Sequence, residues 1–483
     1  MSTVISPVIL DRTGVRIAEG IQSIAAALWS EKAPIIQRKD VNLYDFDGTR
    51  VYSYSKAEFL GLSSLPGNPA HDGLTAQGWN WSLADAQAYV QKYGVLDIGQ
   101  TYITDDGKTR LYVEIGYTEN LTITLKFNQS AAEGVTVDWG DGVIEVAATS
   151  GDVAMTHTYA DEGKYIVTLD VSDGCSVRLG TSTGSGASIL AVGISKSFFS
   201  QGDRGITSGK DALVALEIGA GVTDIGSSAF AYMTSLKYIT IPNTVTTIRD
   251  IVFYACINLE TIVIPSGIPR VGNLQHGFNY ALKACSLPAS ATAIGQSAFK
   301  TCTNLNRICI PEGVTSLANY TCYGLQTAKE IIIPDTVAGA IPHYGFSHCY
   351  RIEKINIPAG ITSIGDYAFS NDYNLRGVEL PEGLTTIGKN AFQSCFAFFE
   401  FVIPSTVTSI AAFAFLYSDG AASFKVRATT PPALEPTAFQ AAFGDLNIYV
   451  PYSADHSILE AYKTATGWCS KADHIFEEVG ESA

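Results

Sequence analysis

Positive charge is scarce in this sequence. Its 483 residues carry 31 Lys and Arg against 47 Asp and Glu, a formal net charge of −16, and no run of Lys or Arg occurs. Nucleic acid and anionic membranes both reward basic patches, so neither is expected as the main partner. Long hydrophobic runs are missing as well: no stretch approaches the ~18 apolar residues of a membrane span. The opening MSTVISPVILDRTG has neither the basic start nor the apolar run of a secretory signal, so synthesis in the cytoplasm is the expectation. Cysteines number nine, odd and without paired spacing, which fits a reducing compartment better than a disulfide framework. Phosphate loops, dinucleotide fingerprints, nucleophile elbows and zinc-helix motifs are lacking, so no enzyme and no cofactor are expected. His343, His348 and Cys349 lie close together in HYGFSHC, but the repeat described next places Cys349 at a core position. No metal is expected there.

What the chain has is repetition. The phrase ITSIGDYAF (361–369) returns as LTTIGKNAF (384–392), and it appears earlier as VTDIGSSAF (222–230) and ATAIGQSAF (291–299). Pro242, Pro265, Pro288, Pro311, Pro334, Pro358, Pro381 and Pro404 mark the period, 23 residues with one interval of 24. Such a period with apolar residues at fixed offsets is the sign of a solenoid, here about eleven coils over 213–451. In each coil, alternation such as Ile239, Thr240, Ile241 predicts a strand with one buried face, ended by Pro for want of an N–H. Gly226, Gly295, Gly365 and Gly388 permit a turn that a β-carbon would hinder. Phe230, Phe253, Phe299, Phe369, Phe392 and Phe415 are expected to stack as an interior column. Cys256, Cys302, Cys349 and Cys395, three residues further on, are expected as small core residues, because two coils of ~4.8 Å hold them too far apart for a disulfide.

These motifs resemble the BspA-type leucine-rich repeat, found on bacterial and protist surfaces, in adhesins and in phage tail proteins. HGF at 276–278 and YTC at 320–322 depart from the usual AF. The ending from Tyr449 onward resembles the cap of that family, with a helix over 457–464 whose Ile458, Leu459 and Tyr462 cover the last coil. Upstream, VTVDWGDGVIEV and HTYADEGKYIVTLDV read as strands around an Asp141-Gly142 hairpin turn. They resemble the PKD family, an immunoglobulin-like sandwich; Asp138 and Asp141 are given turn duties rather than calcium. Pro69, Asp72-Gly73 and Gly78-Trp79 resemble a Listeria–Bacteroides repeat, a β-grasp-like module. A helix is predicted over 82–94, with Ser82 as N-cap and Gly94 as stop, and TYITDDGKTRLYVEI as a hairpin around Asp106-Gly107. Ile17, Ile21, Ile24 and Leu28 form one apolar stripe on an N-terminal helix, for oligomerisation, docking or packing on its own domain.

The expected fold is therefore mainly β and multidomain: small β-domains, then the solenoid of about eleven coils and a C-terminal helical cap. The boundaries are 1–35 for an attachment segment, 36–118 for the α+β module and 119–175 for the sandwich. A linker and N-terminal cap follow at 176–212, then the solenoid at 213–451 and its cap at 452–483. Two candidate ligand-binding surfaces follow. The outward strand row is Thr240, Val263, Ser286, Cys309, Ile332, Asn356, Glu379, Val402, Lys425 and Tyr449. The turns carry aromatics, Tyr323, Tyr350, Tyr373 and Phe396 foremost, with Tyr232, Tyr280 and Tyr417; these either pack between coils or bind. The resemblances imply a non-enzymatic recognition protein, carried on a phage or prophage tail and binding a bacterial surface protein or glycan. In that setting the N-terminus would meet other tail proteins and the chain would form a homotrimer. A secreted adhesin and a cytosolic protein-binding scaffold are the alternatives.

Overall fold

The computed structural model of the chain describes residues 40–115, 122–173, 175, 177–179, 206–208, 213–227, 229–273, 277–398, 400–418, 423–440 and 447–478. The stripe at Ile17, Ile21, Ile24 and Leu28 lies outside them, as does most of 176–212.

The repeat sets the solenoid's hydrogen bonding. Strands recur at Thr261–Val263, Ala284–Ser286, Arg307–Cys309, Glu330–Ile332, Lys354–Asn356 and Gly377–Glu379, and they pair two by two in parallel one repeat apart, as Lys354 does with Gly377. After each strand the proline carbonyl accepts the N–H three residues on, Val245 to Pro242 at 3.0 Å and Leu384 to Pro381 at 3.1 Å, which closes a turn. A second short strand follows, and Gly339–Ile341, Ile361–Ile364, Thr386–Ile387, Ser409–Ile410 and Ala433–Leu434 form one parallel sheet. The glycine of the phrase serves close approach here rather than a special φ. A β-carbon on Gly365 would stand 2.7 Å from Ile341 O, and one on Gly388 would stand 2.8 Å from Asp366 N.

Inside the coils the expected phenylalanine column is present. Phe346, Phe369, Phe392, Phe415 and Phe439 are buried and stack at 5.1–5.6 Å with rings within 12° of parallel. Burying a ring of this size contributes about 1.5–3 kcal/mol. The divergent coil YTC keeps the register by placing buried Cys322 where Phe usually stands. Cys256, Cys302, Cys349 and Cys395 are fully buried, as expected, and burial pushes the Cys256 and Cys302 thiols up to about 12. Helix Ser457–Thr464 lies where the sequence placed it. Its Tyr462 donates to Ala428 O at 2.7 Å and meets Trp468 edge-on at 5.0 Å, covering the last coil.

The other end of the solenoid is covered by a β-sandwich. Its strands are β5 (Thr109–Ile115), β6 (Thr122–Gln129), β7 (Val135–Asp138), β8 (Ile144–Val146), β9 (Gly151–Thr158) and β10 (Gly163–Val171), with short β11 (Val177–Leu179) and β12 (Ile206–Ser208) on β6. β5 pairs antiparallel with β10 on one side and with the first solenoid strand β13 (Leu213–Glu217) on the other, so the sheet runs from sandwich into solenoid without a break. β7 and β8 form the hairpin expected around Asp141-Gly142. Asp138 Oδ1 accepts Gly140 N–H, and Asp141 accepts Val143 N–H and bonds to His157 at 2.7 Å, the turn duties expected of both.

The module before it contains β1 (Val41–Tyr44), β2 (Arg50–Tyr54), helix α1 (Lys56–Leu60), β3 (Leu74–Trp79), helix α2 (Leu83–Tyr93) and β4 (Leu96–Thr104). The sheet order is β2-β1-β4-β3, with β1 and β4 parallel at its centre. Ser82 caps α2 and Gly94 ends it at φ 84°, as predicted. One expectation is corrected: β4 and β5 turn at Gly107 but are not a hairpin. β4 stays in the module sheet between β1 and β3, and β5 crosses to the sandwich, where it pairs with β10. The chain therefore passes from the module sheet to the sandwich sheet at the turn after Thr104.

Candidate functional site

The outward strand row is divided by the module. Thr240, Val263, Ser286 and Cys309 are buried, and Ile332 is half-buried, because β4 and α2 lie on this half of the row. Gly99 makes the approach feasible, since a β-carbon there would stand 2.5 Å from the Val263 methyls. Ser286 Oγ donates to Asp97 O at 2.9 Å, and Asn80 Nδ2 donates to Ile264 O at 3.0 Å. Trp81 Nε1 donates to Leu287 O at 2.7 Å, and Tyr89 OH to Ile310 O at 2.8 Å. Arg307 closes the seam between Asp97 at 3.1 Å and Glu330 at 2.7 Å. Burial pushes the Asp97 carboxyl up, against the pull of Arg307 and Asn42. These five expected contact residues serve an intramolecular interface in the folded chain.

The rest of the row is open. Asn356 and Glu379 are exposed, while Val402, Lys425 and Tyr449 are half-buried between inward neighbours. Their character is mixed: Lys425 pairs with Glu400 at 2.8 Å, and Tyr449 meets Phe476, itself 43% exposed, at 6.1 Å.

The turn aromatics form a larger surface than the sequence suggested. Tyr350, Tyr373 and Phe396 stack at 5.0 and 5.4 Å, with rings 3° and 18° from parallel. A second ladder, missed in the sequence, runs through Tyr320, Tyr344 and Tyr367 at 4.8 and 4.6 Å, 7° and 2° from parallel. Its signal was available, since these tyrosines recur at intervals of 24 and 23, two positions before the buried column. Tyr323 joins the ladders, edge-on to Tyr344 at 6.2 Å and 4.9 Å from the His348 ring. Lys300 Nζ stands 5.0 Å from the Tyr320 ring and 5.5 Å from Tyr323. Nearer the first coil, Tyr232, Tyr254, Phe278 and Tyr280 form an edge-to-face chain at 5.3–6.4 Å.

These rings are at once packed and exposed. Their faces pack on one another, but Tyr232, Tyr280, Tyr373, Phe396 and Tyr417 remain 40–46% exposed, while Tyr323 and Tyr350 are half-buried. The ridge therefore presents ring edges and phenol groups whose positions are fixed before any partner arrives.

The histidine and cysteine group in HYGFSHC is used within the fold. His348 Nδ1 bonds to Ser347 Oγ at 2.8 Å and its Nε2 to Asn371 at 3.2 Å, Cys349 Sγ donates to Cys322 O, and His343 faces Asp366. Burial holds the His348 ring below its usual pKa. Among the described residues no three His, Cys, Asp or Glu side chains gather as metal ligands, and no helix is long and apolar enough to cross a membrane.

A parallel coil with a 23-residue period, an aromatic interior column and a helical cap defines the leucine-rich-repeat class of solenoid. Residues 208–325 and 339–441 match the BspA type leucine rich repeat region in six copies, so this part of the chain is similar to that repeat. Solved structures with similarity include a leucine-rich repeat protein from Bacteroides ovatus, 22% identical over 55% of this chain and 81% of that one, TM-score 0.43. A leucine rich cell surface protein from Faecalibacterium prausnitzii is 21% identical over 59% and 98%, TM-score 0.34. The pneumococcal vaccine antigen PcpA is 16% identical over 61% and 96%, TM-score 0.30. No curated protein matches.

Proposed function

We propose that the chain is a non-enzymatic recognition protein whose aromatic turn ridge contacts a bacterial surface, carried either on a virion tail as a receptor-binding protein or on the cell envelope as an adhesin. The observation that carries this reading is the exposure of Tyr373, Phe396 and Tyr417 at 40–44%, with Tyr373 and Phe396 stacked on each other. Large rings left in water are unfavourable for folding alone, and rings already ordered lose little side-chain entropy on binding. The open strand residues Asn356, Glu379, Val402, Lys425 and Tyr449 supply a second, more polar contact row.

The test is binding of the fluorescently labelled chain to a panel of intact bacteria by flow cytometry. A Tyr373→Ser, Phe396→Ser double variant is expected to lose at least tenfold of the binding while keeping its cooperative unfolding. Unchanged binding by that variant overturns the reading. Loss only in a Glu379→Lys, Lys425→Glu variant would move the contact to the strand row. The homotrimer and the attachment role proposed for residues 1–35 are tested by sedimentation equilibrium on the intact chain and on a chain lacking them.

A further inference from the structure

One sheet of the sandwich ends on an open edge. β8 is the last strand of that six-stranded sheet, and its register on β7 sets Glu145 opposite Val137. Val143 O accepts Trp139 N–H at 3.0 Å, and Ala147 N–H donates to Val135 O at 2.9 Å. Antiparallel pairing uses alternate residues, so the N–H and C=O groups of Ile144 and Val146, which lie between these bonds, face away from the sheet. The side chains stay in water too: Ile144 is 63% exposed, Val146 51% and Val143 40%, and no large hydrophobic among the described residues is more exposed than Ile144. Natural edges are blunted by lysine, proline or a bulge, and VIEVA at 143–147 has none of these.

Charge indicates what the edge accepts. Between Lys126 and Lys164 the chain has seven carboxylates and no Lys or Arg. Asp138 lies opposite Ile144 in the ladder, Glu145 is in the strand itself, and Glu133 N–H donates to Ala147 O at the strand's end. Glu145 accepts Trp139 Nε1 at 2.9 Å and Asp138 accepts Gly140 N–H, and neither they nor Glu133 meet a cation among the described residues.

We infer that β8 binds an extended segment of a partner protein by strand addition, a segment whose apolar residues alternate with Lys or Arg. A row of free N–H and C=O groups is matched by another extended backbone, and Ile144 and Val146, two residues apart on one face, take apolar side chains at the same spacing. A second copy of this chain would bring seven carboxylates against seven, which disfavours pairing of β8 with itself. The inference uses none of the turn aromatics and is independent of the proposed ridge.

The experiment is selection of a random twelve-residue phage-displayed library on the immobilised full chain, then isothermal titration of the enriched sequences as synthetic peptides. Enriched peptides are expected to alternate β-branched or aromatic residues with Lys or Arg and to bind with a Kd of about 1–100 μM. Ile144→Pro removes an outward N–H without removing a bond to β7, and is expected to weaken binding at least tenfold with the melting temperature unchanged. Val146→Lys, which leaves the backbone intact, is expected to weaken it as much by repelling the basic peptide, whereas the Tyr373→Ser, Phe396→Ser variant binds as the parent does. Equal binding to the parent and the Val146→Lys chain, enrichment of acidic or unpatterned sequences, or no enrichment overturns the inference. A dimer in sedimentation that Val146→Lys returns to monomer also overturns it, by making a second copy the occupant.

Discussion

Thr301 holds a backbone conformation that its branched β-carbon opposes, with φ at 61°. Its place two residues after the column is left-handed in every described coil that shows it: Tyr232, Ala255, Phe278, His348, Asn371, Ser394 and Tyr417 share it, and Gly324 takes it at 76°. The cause is the coil-to-coil ladder. From Tyr232 through Ser394 these N–H groups donate to a carbonyl one repeat ahead, Thr301 to Tyr323 O at 2.7 Å and Asn371 to Gln393 O at 2.7 Å. A non-glycine residue in this conformation costs about 1–2 kcal/mol, and glycine's extra unfolded-state entropy offsets about 0.5–1 of that. Thr301→Gly is therefore expected to raise stability by up to about 1 kcal/mol in urea unfolding, and a net loss would show that the threonine side chain carries packing of its own. Asp372 gives a prediction about pH. It stands in the column of Cys256, Cys395 and Ser418, whose Sγ or Oγ donates to the carbonyl of Phe230, Phe369 or Phe392. Asp372 Oδ1 accepts Cys349 N–H at 2.8 Å and its buried Oδ2 has no partner, so a protonated carboxyl, itself a donor, matches the donor side chains of that column. Burial pushes this carboxyl well above the usual range, and the Cys349 and Cys395 thiols that face it are raised in the same way. Because the folded chain holds the proton more tightly, the stabilisation is present below the ordinary carboxylate pKa and is lost as pH rises through the folded value. Asp372→Asn is expected to flatten this decline and to stabilise the chain above neutrality by about 1–3 kcal/mol. Equal alkaline slopes for variant and parent in urea unfolding at pH 5 to 9 would contradict it.

At the scale of elements, the seam between module and solenoid joins buried contacts to an exposed rim, where Lys92 pairs with Glu312 and Asp335. Removing Arg307 leaves the Asp97 carboxylate without its cation in a nearly closed site, a loss of about 3–5 kcal/mol. Arg307→Ala is expected to speed hydrogen exchange in β1 and β4 while Gly377–Glu379 and Glu400–Ile403 keep their protection. Uniform loss across both regions would mean that the module and solenoid unfold as one. This seam was partly legible. Thr240, Val263, Ser286 and Cys309 are small or apolar, whereas Asn356, Glu379 and Lys425 are polar, and the change of character marks where the covering module ends. The partner was not legible, because nothing periodic in 36–104 points to residues two hundred positions away. Helix α2 was read in full because its Ser82 and Gly94 signals are local. The β4 and β5 pairing was misread because Asp106-Gly107 specifies a turn and leaves the strands' partners open.

At the scale of the molecule, repetition makes most of the structure readable. Each coil meets neighbours like itself, so a period fixes both fold and core, and Phe369, Cys395 and Tyr462 all occupy the places their spacing implied. Function sits in the positions that do not repeat, and there the sequence supplied residue types without arrangement: Tyr350, Tyr373 and Phe396 were visible, their union with Tyr320, Tyr344 and Tyr367 was not. The most direct test is hydrogen exchange of the full chain with and without envelope fragments of a bacterium that it binds. Recognition through the ridge predicts slowed exchange at 367–373, 390–396 and 413–417, with none added at 240–286 beneath the module. Protection confined to other residues, or slowed exchange beneath the module and none on the turns, would contradict it.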